Sequence, residues 1–250
     1  MFKIFLKRQI HSNDKSDQNT KATIVQAGLS ERRSQDRYEV KHGSLTFLND
    51  FDMLLVKDLS LRGFHSQVPQ RALKRLAIGD IYEARSRHRE ITFELEIKVA
   101  WQREDHVGFE FVGLDDNARL VIKRLIRPLE IAASMSLIDA DFIKASSPSK
   151  TWYHGDDGSD LFIWHDERGF VCGWQFIADD KYLEWREGKG LESGALMTEN
   201  SSESGLLDSH EQVLKTDDTI NKTFLHFTLD VLLALDCDEK QKLIATIADA

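Results

Sequence analysis

Between residues 38 and 112 the chain breaks into six short apolar stretches, at 38–48, 53–59, 63–68, 81–87, 91–103 and 107–112, separated by turn residues. Most are β-branched or aromatic. Several alternate apolar with polar, as in Ile91-Thr92-Phe93-Glu94-Leu95-Glu96-Ile97-Lys98-Val99. A period of two predicts strands with one buried face. Six such strands in about 75 residues have little else to cover their edges, so the expected arrangement is a small antiparallel barrel. At Gly113-Leu114-Asp115-Asp116 the pattern changes. One of these aspartates is placed as an N-cap, and Ala118, Val121, Ile122, Leu125 and Ile126 follow with helical spacing. Pro128 is expected to stop that helix. Ile131, Met135, Ile138 and Phe142 suggest another, and residues 145–150 read as a linker.

Charge divides the chain. Residues 1–150 carry 25 Lys and Arg against 21 Asp and Glu, a balance of +4, whereas residues 151–250 carry 8 against 21, a balance of −13. A mildly basic half suits a small anionic ligand. A strongly acidic half argues against DNA or RNA as a partner of the whole chain, because phosphate contacts need Lys and Arg. No apolar run approaches 18 residues, so no transmembrane segment is expected. The start, Met1-Phe2-Lys3-Ile4-Phe5-Leu6-Lys7-Arg8, has too short an apolar stretch for a signal-peptide core and reads as a frayed turn. Two cysteines 65 positions apart, Cys172 and Cys237, fit a reducing cytoplasm rather than a disulfide or zinc framework.

Two segments carry chemistry. Glu31-Arg32-Arg33-Ser34-Gln35-Asp36-Arg37 sets arginines four apart at Arg33 and Arg37, and Asp58-Leu59-Ser60-Leu61-Arg62-Gly63 is a D-x-S-x-x-G string closing an apolar run. Arginine forks onto phosphate or the O6/N7 edge of guanine and stacks on purine faces. Aspartate accepts from guanine N1–H and N2–H, serine donates or accepts, and glycine admits a flat ligand close to the backbone. Arg71 and Arg75 repeat the arginine spacing by chance, so the pair means little alone. The conjunction, arginines first and the string about twenty residues later at a strand end, is specific. In that order the two segments resemble the signatures of the PilZ family, receptors for the bacterial second messenger cyclic di-GMP. The downstream Val99-Ala100-Trp101 and Val107-Gly108-Phe109-Glu110-Phe111, followed by a capped helix, are similar to the family's closing elements.

The resemblance covers about residues 30–128. It implies a mainly β fold with some helix: a six-stranded antiparallel PilZ-type barrel with a C-terminal helix, preceded by an arm that carries the arginines. Carried over by position, Arg33 and Arg37 would hold guanine and phosphate. Asp58, Ser60 and Gly63 would line the opposite side. Arg32 would favour two stacked cyclic di-GMP molecules, and Trp101 would lie near the ligand. Phe64 is bulkier than the family's usual choice and raises a question about pocket shape. The implied role is a cytoplasmic, non-enzymatic receptor with cyclic di-GMP as ligand and no cofactor or metal. The alternative is a PilZ-like scaffold acting only through protein contacts.

The expected organisation is a flexible lead at 1–30, the barrel domain at 31–128, helix and linker at 129–150, and an acidic α+β domain at 151–250. That last region resembles no recognised family. Turn signals at Asp157-Gly158, Arg168-Gly169, Asp179-Asp180 and Gly188-Lys189-Gly190 separate strands near 161–165, 170–177, 182–186 and 191–197. Residues 198–218 read as a loop, and Phe224, Phe227, Val231, Leu232 and Leu235 as an amphipathic helix. Its aromatics are expected to build a core, and the region is the expected contact for a protein partner. His154, Asp156, Asp157, Asp160, His165 and Asp166 are metal-ligand types, but their spacing fits turns better than a metal site.

Overall fold

The computed structural model describes residues 36–40, 46–48, 53–88, 91–139, 149–199 and 211–248. The first sheet contains β1 (Tyr38–Glu39), β2 (Thr46–Leu48), β3 (Met53–Ser60), β4 (Gly63–Gln67), β5 (Ile81–His88), β6 (Ile91–Arg103) and β7 (His106–Val112). Its order is β1-β3-β2-β5-β6-β7-β4, all antiparallel, and β3 pairs in addition with β4. A short helix, α1 (Gln70–Leu73), not expected from the sequence, follows β4. The strands bury Leu54, Val56, Leu59, Phe64, Ile97 and Val99 in one core with Phe109 and Phe111.

Two irregularities break the alternation. On β3, Val56 pairs with Ser66 but Asp58 pairs with His65, so Lys57 is the extra residue. On β6, Val99 pairs with Phe109 but Trp101 with Gly108, so Ala100 is the extra residue. Strict period two would continue Leu54, Val56 inward to Asp58, and Leu95, Ile97, Val99 inward to Trp101. Each bulge reverses the parity, sending Asp58 and Trp101 to the outer face.

Helix α2 (Asp116–Ser134) starts at Asp115, whose side chain accepts from the Ala118 N–H at 2.6 Å. It does not stop at Pro128. Proline lies inside it, and the helix ends only at Ser134. Among the described residues, the second helix expected from Ile131, Met135, Ile138 and Phe142 does not form. Ile131 belongs to α2, and the chain turns into β8 (Ser136–Leu137); Phe142 lies outside the described residues. Proline costs a helix one hydrogen bond and some crowding, and here burial opposes that cost. Ile122, Leu125 and Ile126 enter the first core, while Ile131 and Ala132 enter a second.

That second core lies under a meander of β8, β9 (Ser149–His154), β10 (Asp160–His165), β11 (Val171–Ala178), β12 (Lys181–Arg186), β13 (Gly190–Glu199) and β14 (Glu211–Thr216), in that spatial order. The expected linker at 145–150 therefore gives way to a strand at its end, and the expected loop at 198–218 contains β14, which pairs with β13 from Gly194↔Thr216 to Glu199↔Glu211. Helices α3 (Lys222–Ala234) and α4 (Lys240–Ala248) cover one face. Asn221 caps α3, accepting from the Phe224 N–H at 3.0 Å. Trp174 and Phe176 sit in this core, and the Trp174 indole N–H donates to Thr246 Oγ1 at 2.8 Å. The aromatics do not all do so: Trp152, Phe162 and Trp164 line up along the opposite face with tilted rings, and Lys150 Nζ lies 3.8 Å over Phe162.

The units are joined beyond α2. His88, expected as part of a solvated basic turn, places Nε2 3.0 Å from Asp230 Oδ2 on α3, the two side chains only 13% and 15% exposed. Arg127 on α2 reaches Asp157 at 2.6 Å and Asp179 at 3.1 Å. Burial pushes the Asp157 carboxyl up, but hydrogen bonds from Ser159 and the Arg127 charge outweigh it and hold it below the ordinary range.

Gly63 gives the sharpest test of the first sheet. A Cβ there would lie 2.0 Å from the Phe109 carbonyl oxygen on β7, a contact with backbone that no side-chain rotation relieves. Gly63→Ala is expected to destabilise the protein by about 2 kcal/mol or more, in the range of overpacking costs, read as a lower urea midpoint at unchanged slope.

Candidate ligand-binding site

The D-x-S-x-x-G string forms the turn of the β3–β4 hairpin. Ser60 Oγ donates to the Gly63 carbonyl at 3.1 Å and accepts from the Arg62 N–H at 3.3 Å. The two residues between Ser60 and Gly63 make the turn, so the register runs Ser60↔Gly63, Leu59↔Phe64 and Asp58↔His65. Ser60 and Gly63 are buried and shape this turn, and Gly63 lets β4 lie against β7. Phe64 points inward, its ring 4.8 Å from that of Phe109, so its bulk fills core rather than the outer surface.

Register continues the row across four strands: Asp58 on β3, His65 on β4, Gly108 on β7, Trp101 on β6. All four face outward. Gly108 leaves bare backbone, and the Trp101 indole lies on it: a Cβ at 108 would be 2.0 Å from Trp101 Nε1. Trp101 is 36% exposed and its ring centroid is 5.5 Å from that of His65. Arg37, just before β1, reaches across to Asp58, with Nη1 2.6 Å from Oδ1. The other carboxylate oxygen of Asp58 is 3.2 Å from His65 Nδ1, and His65 Nε2 is 2.8 Å from His106 Nδ1. A carboxylate paired with Arg37 only accepts, so His65 donates its Nδ1–H to Asp58, while one proton is shared between His65 Nε2 and His106 Nδ1.

The structure thus brings Arg37, Asp58 and Trp101 to one outer surface and sets Ser60 and Gly63 in the adjoining turn. Arg32 and Arg33 lie outside the described residues. The sequence reading missed His65 and His106. A signal for His65 was present: a two-residue turn after Ser60 puts His65 opposite Asp58. Elsewhere, a cleft of about 680 Å³ is lined by Glu83, Arg85, Glu94 and Glu96 among others, with Arg85 already paired to Glu94; its acidic wall suits a dianion poorly. Among the described residues no three His, Cys, Asp or Glu are grouped to hold a metal ion. His154 and the Trp152 indole both turn to Asp160 Oδ1, at 2.8 and 2.7 Å.

An arginine fork, a carboxylate and an aromatic ring thus lie together on the outer face of a small antiparallel sheet. Residues 31–127, less than half of the chain, match the PilZ domain family, and this stretch is a PilZ domain. No curated protein matches the chain. Among solved structures, an uncharacterized Legionella protein is similar at 19% identity and a TM-score of 0.30, over 37% of this chain and 95% of that one. The PilZ domain with c-di-GMP of YcgR from Escherichia coli is similar at 17% identity and a TM-score of 0.33, over 46% of this chain and 100% of that one.

Gly108→Ala is expected to lift the Trp101 indole off the sheet while leaving the core intact. The check is acrylamide quenching: the component lost in a Gly108→Ala/Trp101→Phe variant should be more quenchable than the same component measured against Trp101→Phe alone.

Proposed function

We propose that the protein is a cyclic di-GMP receptor and effector. The observation that carries this reading is the meeting of Arg37 and Asp58, one from each signature segment, at 2.6 Å beside Trp101 within the PilZ match. In this reading Arg33 and Arg37 take guanine and phosphate, Asp58 accepts from the guanine N1–H and N2–H edge, and Trp101 borders the ligand. Ser60 and Gly63 hold the turn that presents Asp58, and Arg32 favours a second, stacked ligand. The PilZ-type barrel is part of the reading, supported by β3 pairing with both β2 and β4.

The protein acts by binding rather than catalysis, in the cytoplasm, and passes the second-messenger level to a protein partner through residues 151–250, in motility, adhesion or biofilm-type regulation. No helix among the described residues is long and apolar enough to cross a membrane. Support for transmission comes from α2, which contributes to both cores, and from the His88–Asp230 contact.

Calorimetric titration of cyclic di-GMP is expected to give micromolar or tighter binding. An Arg33→Ala/Arg37→Ala variant should bind at least about 100-fold more weakly, since each charge-assisted contact contributes about 1.5–3 kcal/mol. Its stoichiometry reads the role of Arg32. Absence of heat with the wild type would assign the domain to the scaffold alternative.

Ligand engagement is proposed to draw residues 22–37 onto the sheet. Hydrogen exchange should then show these amides protected on ligand addition; equal exchange with and without ligand would refute the clamp.

A further inference from the structure

Asp58 and Trp101, two side chains proposed to border the ligand, are not adjacent. Between them in the cross-strand row stands His65, 3.2 Å from the Asp58 carboxylate and 5.5 Å, ring to ring, from Trp101. A ligand that reaches from one to the other must cover it.

The chemistry left to His65 is narrow. Its Nδ1–H is given to Asp58 and its Nε2 is hydrogen-bonded to His106 Nδ1, so both polar positions are engaged within the protein. Neither nitrogen is left to meet a phosphate or the edge of a base. The side chain is nevertheless 19% exposed. With both nitrogens turned to neighbours, what the side chain has left for a ligand is its ring rather than a free donor or acceptor. The His65 and Trp101 planes lie within 30° of each other, and His106 adds a third ring 4.9 Å from His65, its plane tilted 35°. Bare backbone at Gly108 keeps the Trp101 indole low on the sheet.

We infer that the ring face of His65, continuous with Trp101, is a stacking floor for one purine base of the bound nucleotide, with His106 as a positioning residue that holds the ring in its plane. The inference rests on the proposed nucleotide-binding reading and assigns a contact to a residue outside both signature segments. Aromatic stacking tolerates any base, so the floor contributes affinity, while the choice of guanine stays with Asp58 and the arginines.

Two substitutions separate stacking from the hydrogen bond to Asp58. His65→Phe keeps an aromatic face and loses the donor; His65→Gln keeps a donor for Asp58 and loses the face. Cyclic di-GMP is titrated into wild type and both variants by calorimetry, and the His65 ring protons of the wild type are followed by NMR. Binding by His65→Phe within about threefold of wild type, with His65→Gln weaker by at least about 10-fold, supports the floor, as does an upfield ring-current shift of the His65 protons at saturation. Binding by His65→Gln within threefold of wild type overturns it. If both variants lose affinity equally, the wild-type spectrum decides: an upfield shift supports stacking, and unshifted ring protons overturn it. A wild type that binds no cyclic di-GMP overturns the receptor reading and the floor together, an outcome distinct from the other failures.

Discussion

The carboxylate of Asp58 has two oxygens, and each is engaged: one by Arg37 arriving from the segment before β1, the other by His65 across the hairpin. The outward row of the first sheet, from β3 across β4 and β7 to β6, starts from that double contact. His65 is held in turn by His106, and the row ends on Trp101. Arg37 and Asp58 are only partly exposed, so their attraction is less screened than that of a surface pair. A dianionic ligand that takes Arg37 must compete with Asp58 for it, and His65 remains to hold the carboxylate in place.

The second unit is not hung on a free linker. Helix α2 runs through Pro128 because its two halves serve different cores, with Ile122, Leu125 and Ile126 on one side of the proline and Ile131 and Ala132 on the other. Burial at both ends offsets one missing hydrogen bond. His88 with Asp230, and Arg127 with Asp157 and Asp179, add polar contacts between segments distant in sequence. A displacement at the first sheet therefore has a packed path toward α3 and the meander.

Much of this was legible from residues alone. Six apolar stretches marked the strands of the first sheet, although the first, 38–48, holds two, β1 and β2; the aspartate pair 115–116 marked the cap of α2, and the turn dipeptides the spacing of the meander. The candidate site was legible as two signature segments, and two residues of them, Arg37 and Asp58, meet. Pro128 misled because local propensity takes no account of cores further along the chain. Residues 211–216 misled because a polar stretch paired on one edge has no apolar period to betray it. His65 was overlooked although the turn length places it, whereas His106 had no local signal: its partner lies 41 positions away.

The chain's own order of residues determined the antiparallel strands, the acidic second half and the two signature segments from which the candidate site is read. Only the tertiary structure decided that Asp58 and Trp101 face outward together. Alternation counts positions along a single strand and would bury both. A bulge reverses that count, and its position is set by how two strands pair, here with Lys57 opposite the β4 edge and Ala100 opposite β7. Pairing is a relation between segments brought together by burying a common core, so the outer row exists only once that core has formed.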